Sequence, residues 1–172
     1  MSIFDESRFR FDFSAASGGA TIHDKNDDGC DGNTVWPGVD FRVKEANKEV
    51  WIEVKSWSLQ SILDRASRRG AHRDFTIKMA ADQFRDDIVA KFLGTTSFLA
   101  WSGIGIPQKV NFVVFLEPPN RATRALLSPF KDRLRDEFKN AQARAWGRKL
   151  GFMVVDFELF TSEFPAYPVT RL

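Results

Sequence analysis

The chain has 172 residues, a formal net charge of +2 and a hydrophobic fraction of 43%, values typical of a globular protein that can bury a core. We therefore expect residues 1–172 to form a single domain. One cysteine excludes an internal disulfide and favours a reducing, cytoplasmic location, and two histidines without cysteine partners argue against a zinc site. No apolar run is long enough to cross a bilayer, so no membrane partner is expected.

The first part of the chain predicts a strand followed by a long loop. Residues 8–16 alternate apolar and polar side chains, which indicates a strand, and residues 17–34 are rich in Gly and Asp. Residues 24–29 match the first half of an EF-hand loop, but Val35 stands where the bidentate Glu belongs. A surface turn is the better interpretation, and Asp24 or Asp28 as an extra metal ligand stays open.

Residues 38–57 consist of two short apolar strands joined by a polar turn, the pattern of a β-hairpin. A tight loop over Ala46 and Asn47 fixes how the strands pair. A loop of odd length would distribute the apolar residues over both faces. The predicted pairs are Lys44 with Glu49, Val43 with Val50, Phe41 with Ile52, and Asp40 with Glu53.

This register gives the hairpin two chemically different faces. One face is apolar, as a half-buried hairpin requires, and carries Val39, Phe41, Val43, Val50, Ile52 and Val54. The other face carries Asp40, Arg42, Trp51, Glu53 and Lys55.

Asp40 and Glu53 face each other on the charged side of the predicted hairpin. Directly opposed Cβ atoms are about 5 Å apart, and like charges there are destabilising, so the pair requires a cation. Lys55 supplies one positive charge, and a bound Mg²⁺ would supply two more. One or two carboxylates, waters and substrate phosphate are the ligands that Mg²⁺ prefers, and the bound ion can activate a water. The Lys55 ammonium can orient that water or meet the developing negative charge.

At these residues the chain resembles the PD-(D/E)xK nuclease superfamily, whose core is restriction-endonuclease-like. The pattern is matched by Pro37-Gly38-Val39-Asp40, in which Pro and Asp are not adjacent, and by Glu53-Val54-Lys55. The resemblance implies that Asp40 and Glu53 ligate the metal, that the Val54 carbonyl also ligates it, and that Lys55 assists hydrolysis.

The resemblance implies two further positions. An N-terminal core helix in this superfamily often carries another acid, for which Glu6 is the sole candidate here. Some members place a glutamine on the helix after the hairpin, where this chain has Gln83. An ordinary exposed helix residue is an equally good interpretation of Gln83.

After the hairpin, a basic loop over residues 58–73 precedes a helix. The loop offers nucleic-acid contacts at Arg65, Arg68, Arg69 and Arg73. Asp74 is placed to cap the helix, which is predicted to reach Phe92, with Gly94 ending it. Its apolar stripe consists of Ile77, Ala81, Phe84, Ile88 and Phe92.

The rest of the chain predicts a strand, a helix and a last strand. Residues 109–116 form a nearly continuous apolar run, which indicates a strand covered on both sides. Ser128-Pro129 is placed to begin a basic helix reaching about residue 149. Residues 151–157 indicate a strand, and the tail with Pro165 and Pro168 is expected to be irregular. The order predicts an α/β (α+β) fold with a mixed central sheet flanked by helices.

The sequence thus predicts an Mg²⁺- or Mn²⁺-dependent nuclease that hydrolyses phosphodiester bonds, foremost in DNA. A single domain has no separate reading module, so target choice would come from loops, a homodimer or a partner protein. Two alternatives stay open. One is a catalytically inactive nuclease-fold module that binds nucleic acid or a partner protein, and the other is a nonenzymatic interaction domain with a solvated acid pair.

Overall fold

The computed structural model describes residues 2–22, 37–56, 73–117 and 149–172, together with the isolated residues 132, 135 and 136. The side chains of residues 56, 73–85, 117 and 149 are outside this description. Several predicted positions therefore lie outside the described residues: Asp24, Asp28, Arg65, Arg68 and Arg69 altogether, and Arg73 and Gln83 as side chains. The three isolated residues are all helical, within the helix predicted to begin at Ser128-Pro129.

Strands and helices alternate along the described part of the chain. The strands are β1 (Ile3–Glu6), β2 (Phe9–Asp12), β3 (Ala20–Ile22), β4 (Phe41–Lys44), β5 (Glu49–Ser56), β6 (Lys109–Glu117), β7 (Lys149–Val155) and β8 (Val169–Arg171). The helices are α1 (Arg73–Trp101) and α2 (Phe157–Glu163). No described helix is long and apolar enough to span a membrane.

The strands form a mixed central sheet and a smaller one. The central sheet has the order β3-β4-β5-β6-β7, antiparallel from β3 to β5 and parallel from β5 to β7. The small sheet has the order β1-β2-β8 and is antiparallel throughout. The predicted α+β class with a mixed central sheet is confirmed, whereas the restriction-endonuclease-like core stays a prediction.

The predicted hairpin register is confirmed within the strands. Phe41 pairs with Ile52, Val43 with Val50, and Lys44 with Glu49. The turn closes through a hydrogen bond from the Glu45 N–H to the Lys48 carbonyl at 2.9 Å. Asp40 lies in a bend immediately before β4, so the predicted pair of Asp40 with Glu53 is not part of the ladder.

Both faces of the hairpin are buried, so the expected half-buried hairpin is wrong. On one face a helix-side core forms against α1, and it contains Val39, Trp51, Ile88, Phe92, Phe98, Leu99, Val110, Phe112, Val114, Leu116, Phe152 and Val154. On the other face a sheet-side core forms against the small sheet and α2, and it contains Phe9, Phe11, Phe13, Phe41, Val43, Val50, Ile52, Val54, Val113, Phe115, Val155, Phe160, Phe164, Tyr167 and Val169.

Val39 and Arg42 show how burial changes the predicted faces. Val39 was expected beside Phe41, but it packs in the helix-side core because the chain bends at Asp40 and strand alternation stops there. Arg42 is only 1% exposed and forms a 3.1 Å ion pair with Glu49. Trp51 Nε1 donates to the same carboxylate at 2.8 Å. Charged residues on the helix-facing side are thus buried in pairs.

Helix α1 extends beyond its predicted end at Gly94 and reaches Trp101. A Cβ at position 94 would collide with the Pro37 carbonyl oxygen, so this glycine allows a close approach inside the helix instead of ending it. The helix continues because Phe98 and Leu99 are buried in the helix-side core. The chain turns after the helix at Gly103, whose φ of +73° is the left-handed conformation of helix C-terminal glycines.

Both chain ends differ from the predictions. The strand expected over residues 8–16 is shorter, at Phe9–Asp12, and β3 lies within the expected loop. Residues preceding β2 form strand β1, and Glu6 lies in it, so the N-terminal helix implied by the resemblance is absent from residues 2–22. The tail is ordered: Asp156 caps α2 by accepting a hydrogen bond from Leu159 N, and β8 completes the small sheet.

Candidate active site

The segment before β4 is fixed against helix α1 at two points. Pro37 packs on Gly94, where no side chain intervenes. Two residues further along the chain, the Val39 N–H donates a buried hydrogen bond to Thr95 Oγ1 at 2.9 Å. The Thr95 hydroxyl in turn donates to the Lys91 carbonyl within the helix. These contacts determine where the next residue, Asp40, leaves the helix surface.

The Asp40 carboxylate is directed at strand β5. It is buried at 5% exposure, and its Oδ2 accepts a hydrogen bond from the Val54 N–H at 2.6 Å. Asp40 is therefore attached to the backbone next to Glu53. The N–H and C=O of one strand residue point to the same side of the strand, so the Val54 carbonyl also points toward the Asp40 side.

Glu53 is a buried carboxylate with one close cation. Its side chain is 1% exposed, Lys55 forms an ion pair with Oε1, and Oε2 has no hydrogen-bond partner among the described residues. Burial raises the pKa of the Glu53 carboxyl, while Lys55 and Lys91 act in the opposite direction. A charged carboxylate in this position is costly unless a cation compensates it.

Lys55 lies between two carboxylates. Its Nζ is 2.7 Å from Glu53 Oε1 and 2.6 Å from Asp87 Oδ2 on helix α1. Burial disfavours the charged form, but attraction to Glu53 and hydrogen bonding to Asp87 outweigh it, and the pKa of the Lys55 ammonium is raised. Lys55 is therefore a cation and hydrogen-bond donor at neutral pH, and not a proton acceptor.

Helix α1 contributes a second lysine. Lys91 Nζ lies 3.9 Å from Glu53 Oε1, and its side chain is 16% exposed. Asp87 and Lys91 are four residues apart, which puts them on the same face of the helix. The side chains of Asp87, Lys55, Glu53 and Lys91 thus form a row of alternating charges between α1 and β5.

The sequence-predicted residues of the hairpin are brought together. Asp40 accepts from the Val54 N–H, and the side chains of Glu53 and Lys55, on either side of Val54, lie together on the face of β5 toward α1. Gln83 lies on α1 one turn before Asp87, and Arg73 is the first residue of α1. Glu6 lies in the small sheet, which covers the opposite face of the central sheet, so it does not join this site.

Asp87 and Lys91 were missed by the sequence analysis. The apolar stripe predicts the helix, and these two residues lie beside that stripe. The signal was present, because Gln83, Asp87 and Lys91 recur every four residues and form one polar line next to buried Ile88 and Phe92. A polar line that borders a buried stripe lies close to the sheet, and here Asp87 and Lys91 reach Lys55 and Glu53 of the central strand β5.

The residues present have the donor set for a hard divalent cation. Two carboxylates and one backbone carbonyl are oxygen ligands, and Mg²⁺ completes such a set with waters and substrate phosphate. The buried Glu53 Oε2, which has no hydrogen-bond partner among the described residues, is the specific observation that fits a cation. In the part of the chain that the structure describes, no group of three or more His, Cys, Asp or Glu side chains could hold a metal by itself.

Comparisons with known proteins give no family for this chain. No protein-family model, curated protein or solved structure matches it.

Proposed function

We propose that this protein is a metal-dependent nuclease that hydrolyses phosphodiester bonds, foremost in DNA. Asp40, Glu53 and the Val54 carbonyl would hold Mg²⁺ or Mn²⁺, and Lys55 would act on the scissile phosphate. The chain resembles the PD-(D/E)xK superfamily at Glu53-Val54-Lys55 and in the segment that ends at Asp40. This resemblance implies metal-dependent hydrolysis of phosphodiester bonds. The geometry of the same residues supports it.

The observation that carries the proposal is the buried, unsatisfied Glu53 carboxylate. A stabilising residue in this place would be apolar or would have partners for both oxygens. Instead, Glu53 is 1% exposed, with Lys55 beside Oε1 and with no hydrogen-bond partner for Oε2 in the described part of the chain. Unsatisfied buried groups of this kind are concentrated at functional sites, where they await a ligand.

Each side chain has a definite role in this chemistry. When bound, the metal ion supplies an activated water and neutralises charge on the phosphate. The hydrogen bond from the Val54 N–H to Oδ2 orients the Asp40 carboxylate, so strand β5 determines where the other oxygen, Oδ1, points. Lys55 stays protonated because two carboxylates face it, and it offers its ammonium to a phosphate oxygen as negative charge develops.

The test is cleavage of linear, circular and single-stranded DNA, and of RNA, with Mg²⁺, Mn²⁺ or chelator. We expect metal-dependent cleavage that Lys55→Ala abolishes. Lys48→Ala is the matched control, because Lys48 lies on the same hairpin and pairs with Glu45 at the turn, away from the site. Cleavage that persists in Lys55→Ala, or no cleavage of any substrate by the wild-type protein, would contradict the proposal.

A catalytically inactive nuclease-fold module is the second candidate. One observation favours it: Lys55 and Lys91 already bring positive charge to Glu53 without a divalent ion. Such a module would bind nucleic acid or a partner protein without cutting. Retention of labelled DNA at low salt, with no cleavage in any metal, distinguishes it from the nuclease.

The remaining parts of the proposal concern partners and location. Target choice would come from loops, a homodimer or a partner protein. The single cysteine favours a reducing, cytoplasmic environment.

A further inference from the structure

Asp87 makes the shorter of the two ion pairs of Lys55. Its Oδ2 lies 2.6 Å from Nζ, against 2.7 Å for Glu53 Oε1. The Asp87 side chain is 49% exposed and Lys55 is 23% exposed, whereas Glu53 is buried. The Lys55 ammonium is thus attracted toward solvent by Asp87 and toward the protein interior by Glu53.

The position of Asp87 is fixed by its neighbours on helix α1. Ile88 and Phe92 are fully or almost fully buried in the helix-side core, at 0% and 1% exposure. Phe92 packs on Trp51 of β5 with ring centroids 5.6 Å apart. Helix α1 therefore has little freedom to rotate on the sheet, and Asp87 stays beside the Lys55 side of β5.

We propose that Asp87 is a positioning residue that holds the Lys55 ammonium at the mouth of the site, in a bridge between Asp87 and Glu53. This inference rests on the proposed nuclease function. Without Asp87, Glu53 is the one carboxylate of the described residues that lies within 4 Å of Lys55 Nζ. The ammonium would then turn about Glu53 Oε1 toward the oxygens that a metal ion requires.

An ordinary surface ion pair would not have this consequence. Exposed pairs contribute little to stability, with a median of about 0–1 kcal/mol. Loss of Asp87 should therefore leave the stability of the fold almost unchanged and lower the rate of cleavage. Misplacement of a catalytic group by about 1 Å can reduce a rate about 100-fold, which is why a partly exposed side chain can matter here.

The test compares Asp87→Asn with Asp86→Asn, the same change one residue away on α1. Cleavage kinetics with saturating Mg²⁺ would be measured beside the thermal unfolding midpoint of each variant. We expect Asp87→Asn to reduce kcat by about 10- to 100-fold, with KM and the midpoint close to wild type. Asp86→Asn should retain kcat, and Asp87→Glu, which restores the carboxylate, should recover part of the loss.

The outcomes separate this inference from the proposed function. If the wild-type protein cuts and Lys55→Ala does not, while Asp87→Asn cuts like wild type, the inference fails and the nuclease proposal stands. The inference also fails if Asp87→Asn loses activity only in proportion to a lowered unfolding midpoint. If wild type cuts nothing in any metal, both fail together.

Discussion

Two glutamates of the same strand have opposite surroundings. Glu49 accepts hydrogen bonds from Arg42 and from Trp51 Nε1, so its charge is compensated. Glu53 is four residues further along β5; Lys55 pairs with its Oε1, and its Oε2 has no hydrogen-bond partner among the described residues. Because burial raises the pKa of Glu53, the folded protein binds this proton more tightly than the unfolded chain, and stability declines as the pH rises above the ordinary carboxyl range.

Neutralising each glutamate should therefore change stability in opposite directions. At neutral pH with chelator, Glu53→Gln should raise the unfolding midpoint; about 1 kcal/mol corresponds to about 2–4 °C for a chain of this size. Glu49→Gln should lower stability by about 1–3 kcal/mol, because the buried Arg42 loses its carboxylate. Thermal and denaturant unfolding measure both. A lower midpoint for Glu53→Gln would show that Glu53 is a stabilising residue.

Tyr167 is a titratable residue outside the candidate active site. Its hydroxyl donates to Glu45 Oε1 at 2.7 Å, and burial together with this carboxylate raises the pKa of Tyr167 above its ordinary 10.0. The folded state retains the phenol proton at pH values where the unfolded chain releases it. The stabilisation is complete below about pH 10 and declines as the pH rises further.

Tyr167→Phe should remove this alkaline dependence. The variant should lose about 1 kcal/mol at neutral pH and show a smaller fall in stability above pH 10 than wild type. Denaturant unfolding at pH 8 and at pH 10.5 gives both quantities. Equal alkaline loss in the two proteins would contradict the role assigned to the Tyr167–Glu45 bond.

At the scale of elements, helix α1 and the segment before β4 position the site together. Glycine in a helix interior usually weakens it by about 1 kcal/mol relative to alanine. Gly94 is an exception, because a Cβ there would displace Pro37. Pro37 is three residues before Asp40, and the bond from Val39 to Thr95 lies between them.

Gly94→Ala should consequently destabilise the protein, contrary to helix propensity. It should also weaken metal-dependent cleavage more than stability alone explains, since the segment that carries Asp40 must shift. Ser97→Ala is the control, because Ser97 is exposed on the same helix and alanine there should be neutral or slightly stabilising. A stability gain in Gly94→Ala would indicate that the helix and the segment separate easily.

Element positions were predictable where local pattern and tertiary packing agree. The register of β4 and β5 follows from the apolar alternation around a short turn, and the interior place of β6 follows from its continuous apolar run. The end of α1 was not predictable, because Gly94 signals a terminus unless the packing of Pro37 is known. The tail was misjudged for a similar reason: Asp156 caps a helix whose Phe160 is buried only through tertiary contacts.

At the scale of the whole molecule, the central sheet separates two cores with different roles. The sheet-side core is packed with aromatic rings, such as Phe11 against Phe115 at 5.4 Å and against Phe160 at 5.8 Å. The charged row lies on the other side, at the border of the helix-side core. The sequence could predict the residues from β4 and β5, whereas Asp87 and Lys91 required knowledge of how α1 lies on the sheet.

Calorimetric titration of the protein with Mn²⁺ or Mg²⁺ tests the central claim that Asp40 and Glu53, from two separate segments, share one divalent ion. We predict one ion per chain for wild type, with binding lost or greatly weakened in both Asp40→Asn and Glu53→Gln. Lys48→Ala should bind like wild type, because Lys48 lies at the hairpin turn. No binding by wild type, or carboxylate variants that bind as tightly as wild type, would contradict the shared site.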